Sequence, residues 1–138
     1  MKKNMWLLVL TALFCYGCKK NVKTACGTQV CTDIFASVGV HFQDKDNNPV
    51  AVSNYNVVDL RTNQQLKNVM ETNGNLVPGF RIVADDSNLK DLSTDGDNLK
   101  VTGTNPATGQ TLSVQLKISG GCNCHVSRVS GPDTIRFN

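Results

Sequence analysis

The sequence predicts an all-β domain, an antiparallel sandwich of about seven short strands. Three observations carry that expectation. Apolar and polar residues alternate with a period of two in the strongest segments, Ile34 to Gln43 and Thr111 to Ile118, the pattern of a strand with one face in a core and one in water. Clusters of Asn, Asp, Gly and Pro interrupt the chain at intervals of roughly 8–12 residues, a spacing that suits a sandwich. No stretch after residue 26 sustains helical periodicity; Leu89 and Leu92, three apart, suit one helical turn.

The elements follow in order. Ile34, Ala36, Val38, Val40 and Phe42 form the core face of the first strand. Phe35, Ser37, Gly39, His41 and Gln43 point the other way, so His41 is expected in solvent. Asp44 to Pro49 ends this strand, because Asp and Asn side chains bond their own backbone and Pro fixes φ. Val50 to Val52 and Tyr55 to Leu60 supply the next strand or two, and Arg61 to Gln64 is a turn. Leu66 to Met70 is a weak strand, followed by the tight-turn pair Asn73-Gly74, where both positions tolerate positive φ. Phe80 to Ala84 is a clear strand with Pro78 just ahead of it, as at an edge or a strand start. The polar run Asp85 to Asn98 separates it from a hairpin, Leu99 to Thr104 and Thr111 to Ile118, turning through Asn105 to Gln110. Val126 to Val129 and Thr134 to Phe137 complete the set.

Ahead of this domain lies a targeting pattern. Lys2 and Lys3 precede the apolar run Met5 to Phe14, which is too short to span a bilayer, for which about 20 residues are needed. Its length and flanks are those of a secretory signal peptide. Gly17 before Cys18 is similar to a bacterial lipoprotein processing site, although Cys15 and Tyr16 depart from the usual residues. The resemblance implies a signal over residues 1–17, a lipid-modified Cys18 held in membrane lipid, a tether over 18–25 and a folded domain over 26–138. An ordinary secretory signal with an incidental Cys18 is the alternative. Two or three acyl chains would anchor firmly where one binds only marginally. Processing also changes the charge. Removing Lys2 and Lys3 from the 14 basic side chains leaves 12 against 11 acidic ones. Removing Lys19, Lys20 and Lys23 of the tether leaves nine, so the domain itself is net −2. The basic character belongs to the leader and tether, which argues against nucleic acid as a partner.

Several segments of the domain resemble a set of small Bacteroidota lipoproteins. They are Cys31-Thr32-Asp33-Ile34-Phe35, Asp46-Asn47-Asn48-Pro49-Val50, Asp85-Asp86, Cys122-Asn123-Cys124-His125-Val126-Ser127 and Val129-Ser130-Gly131. The resemblance implies a transthyretin-like fold, akin to carboxypeptidase regulatory domains and Ig-like in architecture. It implies no catalytic residue.

Cys26, Cys31, Cys122 and Cys124 read first as a disulfide framework, since an exported chain meets an oxidising compartment. Of three connectivities, Cys122 with Cys124 closes a ring too small to constrain the unfolded chain. A bridge across the domain closes a loop of about 94 residues, worth roughly 4–5 kcal/mol on a disputed entropy model. Cys31 with Cys124 and Cys26 with Cys122 is the favoured register, clamping the lead-in of the first strand to the segment before the last strands. The rival is a soft metal, zinc or copper(I), on Cys122, Cys124 and His125, though the spacing fits no common zinc module. A catalytic dithiol would want Cys-x-x-Cys at a helix start. His125 by itself suits an ordinary strand histidine.

The remaining motifs are weak. Asp44 to Asn48 and Asp91 to Gly96 place oxygens at alternate positions, but Tyr55 and Thr102 stand where a calcium loop has its Glu; both read as turns. Asp133-Thr134-Ile135 matches a short O-glycosylation pattern, making Thr134 a candidate. Enzyme motifs are missing: there is no Gly-x-Ser-x-Gly, no phosphate loop and no His-Glu-x-x-His, and Glu71 is the one glutamate. Asp85 and Asp86 are adjacent, so in a strand they face apart and cannot act as a carboxylate pair. The expectation is a binding or structural accessory module of the bacterial envelope, on the outer membrane, with no cofactor and no turnover. Its partner would be an envelope protein or a glycan, met by loops away from the tether, such as Asn63 to Gln65 and Asn105 to Gln110. A metal- or thiol-handling protein built on the Cys-x-Cys-His segment is the alternative.

Overall fold

The computed structural model describes residues 26–67 and 77–138. The expected signal, Cys18, the tether, Glu71 and the Asn73-Gly74 turn lie outside these residues. The described chain is an all-β sandwich of two sheets. The first is three-stranded, in the order β4 (Phe80–Asp85), β1 (Ser37–Gln43), β8 (Thr134–Arg136). The second is five-stranded, in the order β3 (Gln64–Gln65), β2 (Ser53–Asp59), β5 (Asp97–Thr104), β6 (Thr111–Ser119), β7 (Ser127–Ser130).

The alternation read from the sequence is what closes the sandwich. Val40 and Phe42 of β1, Val83 of β4 and Ile135 of β8 face Val57, Leu99, Val101, Leu116 and Ile118 of the larger sheet, all of them buried. Phe42 lies at the centre. It stacks on Phe137 at 6.0 Å between ring centroids and meets Tyr55 edge-on at 6.1 Å. Burying one such ring contributes about 1.5–3 kcal/mol. Gly103 is where this ring comes closest to the larger sheet, because a Cβ there would lie 2.9 Å from two Phe42 ring carbons. His41 sits on the exposed face of β1 against the Phe80 ring.

Four expectations are corrected. The first strand starts at Ser37, not Ile34, and Ile34 and Phe35 are 66% and 71% exposed. The cause is the ladder: β4 reaches only to Asp85 opposite Ser37, and the Ala36 amide donates instead to the Asp86 side chain. The weak strand is Gln64–Gln65, with Leu66 buried just beyond it. Its Lys67 neighbour ends the described stretch, so the rest of the expected Leu66 to Met70 strand is outside it. Third, the pairing of β1 with β8 is parallel, His41 to Thr134 and Gln43 to Arg136. Every other strand pair among the described residues is antiparallel. The single helical turn among the described residues is a 3-10 helix at Asp86–Asn88, earlier than Leu89 and Leu92 suggested.

Strand directions give the sandwich two poles. The starts of β1, β5 and β7 and the ends of β2, β4 and β6 share one pole, as the pairs Ser37 with Asp85, Asp59 with Leu99 and Ser119 with Ser127 require. The other pole carries the Asp44–Pro49 turn, the Asn105–Gln110 hairpin loop and Asn138.

Candidate functional site

The first pole is a covalent clamp. Cys26 is bonded to Cys122 and Cys31 to Cys124, the cross-domain register favoured from the sequence. Four sulfurs in two bridges are not thiolates, so the metal reading on Cys122, Cys124 and His125 would first require reduction. Pairing Cys31 with Cys124 also sets their successors, Thr32 and His125, side by side. Thr32 Oγ1 lies 3.0 Å from His125 Nε2, and His125 Nδ1 lies 2.8 Å from Asp86 Oδ2. An ionised carboxylate can only accept, so Nδ1 carries the proton. In the neutral ring Nε2 then accepts from the Thr32 hydroxyl.

Asp86 is the hub of this pole. Its Oδ2 also accepts from the Ala36 amide at 2.8 Å, and its Oδ1 from the Val126 amide at 2.9 Å. Burial alone would raise its pKa. The two amides and His125 outweigh that and hold the carboxyl below its ordinary value. Asp85, one residue earlier, does different work: its side chain accepts from Ser87 and caps the 3-10 turn, while the Asn88 side chain accepts from the Asp85 amide. The two carboxylates therefore serve separate networks, as the sequence argument expects.

Hydroxyl, imidazole and carboxylate in this order could pass a proton, as in serine hydrolases. The setting points to a tie. Two of the three bonds on the Asp86 carboxylate run to the backbone of the segments it joins. The rest of the pole is similarly knotted. The Cys122 amide donates to Thr94 Oγ1 at 3.0 Å, and Asn123 Nδ2 donates to the Thr94 carbonyl at 2.9 Å. Gly121 takes φ +61°, with the Thr94 amide 2.7 Å from where a Cβ would sit. A glycine is required there on both counts.

A second knot lies beside the first. Asp97, 5% exposed, accepts from Arg61 Nε at 2.9 Å, from the Ser93 amide at 2.8 Å and from Ser93 Oγ at 2.7 Å. Desolvation opposes ionisation of Asp97, but these donors win and hold its pKa below the usual carboxylate value. Arg61 Nη2 also reaches the Asp91 carbonyl at 2.7 Å. The Asp91 to Gly96 stretch is thus an ordinary turn held by Asp97. It also follows that the turn leading to Asn63–Gln65 lies at the clamp pole, not away from it, because β2 runs toward the clamp.

The opposite pole holds the open groove, of about 550 Å³, between the Asp44 to Ala51 segment and the Asn105 to Thr108 loop. Both walls are stiffened from within. Asp44 Oδ1 accepts from the Asp46 and Asn48 amides, each at 2.8 Å, and Oδ2 from Asn48 Nδ2 at 3.0 Å. Those bonds, the Asn48 side chain first, keep Asp44 acidic and leave its oxygens occupied as a turn rather than as a calcium loop. Asn105 Oδ1 accepts from the Ala107 amide at 2.9 Å, and its carbonyl from the Gly109 amide at 2.8 Å. Pro49, Val50, Ala51, Pro106 and Ala107 give the groove an apolar floor and side, with Lys45 and Asp46 at the rim. Thr134, the glycosylation candidate, is half-buried in β8 opposite His41.

No protein-family model, curated protein or solved structure matches this chain.

Asp86, Thr32 and Arg61 were not singled out from the sequence as structural centres. For Thr32 and His125 a signal existed, since each follows a cysteine of one proposed pair. For Asp86 the only trace is the run Asp85-Asp86-Ser87-Asn88, which has the composition of a capped turn.

Proposed function

We propose that the chain is a lipid-anchored, non-catalytic binding module of the bacterial envelope, held at one pole and presenting the other. The observation that carries this reading is the opposition of the poles. Two disulfides and the Asp86 hub fix the segment nearest Cys18 to one end of the sandwich. The open groove, with walls ordered by their own hydrogen bonds, is at the other end. Order of this kind lowers the entropic cost of docking. Proline and alanine surfaces with a lysine and an aspartate on the rim suit an extended envelope polypeptide or a glycan. The transthyretin-like resemblance agrees with an accessory role. Asn105 to Gln110 remains part of the presenting surface; Asn63 to Gln65 does not.

The test is site-specific photo-crosslinking in the native envelope. A photoreactive residue at Ala107 or Lys45 should trap a discrete partner, whereas one at Lys100, on the exposed face of β5, should not. Equal trapping at all three positions would remove the groove from the account. The Cys18→Ser variant should leave the membrane fraction.

The alternative, metal or thiol handling at Cys122, Cys124 and His125, requires reduced sulfur. Thiol titration of the unfolded, unreduced mature protein decides between them. No free thiol among the four domain cysteines supports the clamp, and two to four support the alternative.

A further inference from the structure

The segment between Cys26 and Ala36 is pinned yet displays its apolar side chains outward. Four attachments hold it: the Cys26–Cys122 and Cys31–Cys124 bridges, the Thr32–His125 hydrogen bond and the Ala36 amide on Asp86. Between those attachments Val30 is 99% exposed, Ile34 66% and Phe35 71%. Single exposed apolar residues are common on protein surfaces. Three large ones on eleven residues tied down by two bridges, a side-chain hydrogen bond and one backbone amide are a concentration of exposed apolar surface, and such surfaces mark contact sites.

We propose that this patch rests on the surface of the phospholipid bilayer, inserting Phe35, Ile34 and Val30 at the headgroup boundary. The proposal rests on the anchored reading above and deepens it, from a tethered domain to a docked one. The length of chain ahead of the patch selects the occupant. Cys26 lies eight positions beyond Cys18, and a fully extended chain covers at most about 3.6 Å per residue. The clamp pole therefore cannot stand more than roughly 29 Å from the acyl chains, about the thickness of the hydrocarbon core itself. Three of those eight positions hold Lys19, Lys20 and Lys23, which favour an anionic lipid surface. Asp33 alone in the exposed patch opposes it. A rigid, aromatic-bearing surface confined close to a membrane meets lipid at a far higher effective concentration than it meets any other partner.

The mature chain offers a clean probe. Its one tryptophan, Trp6, lies in the leader, so Phe35→Trp places a single indole at the patch of the processed protein. The acylated variant is reconstituted in phosphatidylethanolamine–phosphatidylglycerol vesicles, with and without bromine on the upper acyl carbons. The expected result is a blue-shifted emission that brominated lipid quenches at least two-fold. An indole at the distal pole, Ala107→Trp, should stay unquenched. Adding Val30→Ser and Ile34→Ser to the Phe35→Trp chain should reduce the quenching. Mass spectrometry of the same sample reports the acyl chains. An acylated, vesicle-bound chain whose position-35 indole is not quenched overturns the docking and leaves the anchor standing. An unacylated chain still quenched when vesicles are added keeps the docking and removes the anchor; one that is not quenched removes both. A blue shift without quenching means that a second copy or another protein covers the patch, and it too overturns the proposal.

Discussion

At the scale of single residues the fold depends on two aspartates that are nearly invisible in composition. Asp86 accepts from two backbone amides and one imidazole. Truncating it orphans three donors around a largely covered pocket, and each unsatisfied buried group costs about 1–3 kcal/mol. Asp86→Ala should therefore lower stability by about 2–4 kcal/mol in urea melts, with Asp86→Asn intermediate because one acceptor oxygen survives. The same carboxylates set an acid limit. The pKa values of Asp86 and Asp97 are both held below the ordinary carboxylate value, so the native state binds their protons less tightly than the unfolded chain does. Their contribution is complete above the unfolded value of about 4 and is lost as pH falls through the lower native values. Melting temperature should be flat down to about pH 5 and fall steeply below about pH 4. In the Asp86→Ala variant that fall should be shallower; an unchanged slope would show that the hub contributes nothing to it. None of this is legible in the sequence, because a carboxylate's role depends on which amides the fold brings to it.

The strands, by contrast, are legible where a strict alternation coincides with a partner of matching length. Thr111 to Ser119 and Asp97 to Thr104 pair residue for residue over eight positions, and their pattern alone placed them to within two residues. The threonines on the outer face reinforce the register: Thr102 meets Ser113 at 2.8 Å, and Thr104 meets Thr111 at 2.9 Å. Ile34 to Ala36 shows the limit of the argument. Its alternation is as regular as that of Val38 to Phe42, but a strand needs a neighbour, and β4 ends at Asp85. Periodicity reports which face a segment could bury; it carries no information on where the neighbouring strand stops. At the element scale the sharpest test is the contact between sheets. Gly103→Ala would press a methyl group 2.9 Å from the ring of Phe42, a fully buried residue. Overpacking of this kind costs about 1–3 kcal/mol. The variant should melt earlier, with near-ultraviolet dichroism showing a disturbed aromatic cluster.

For the whole molecule, the two bridges are not equivalent additions. With neither present, forming one closes a loop of about 94 residues, worth roughly 4–5 kcal/mol in the chain-entropy model. The other then closes only the small ring that runs through 26–31 and 122–124, worth roughly 2–3 kcal/mol. Replacing Cys31 and Cys124 by serine, or Cys26 and Cys122, should therefore cost about 2–3 kcal/mol, and replacing all four about 7 kcal/mol. Equal, additive costs in denaturant titrations would mean that the bridges brace the native state and not the unfolded chain. The sandwich class and the cross-domain bridges could be argued from strand spacing and from the even number and wide separation of the domain cysteines. The division into poles could not, because the position of the Asn63 turn depends on the direction of β2, which short strands do not announce.

The parallel pairing of β1 with β8 has a consequence for how the molecule comes into being. A chain delivered from its N-terminus, by a ribosome or through a pore, presents β1 first and its neighbour last, with about ninety residues between them. The smaller sheet cannot knit, Phe42 cannot meet Phe137, and neither sulfur pair can join until the tail has followed. The β5–β6 ladder can assemble early on local contacts, but the domain locks in one late event. Such a protein gains its rigidity all at once, and only when its last strand is in hand.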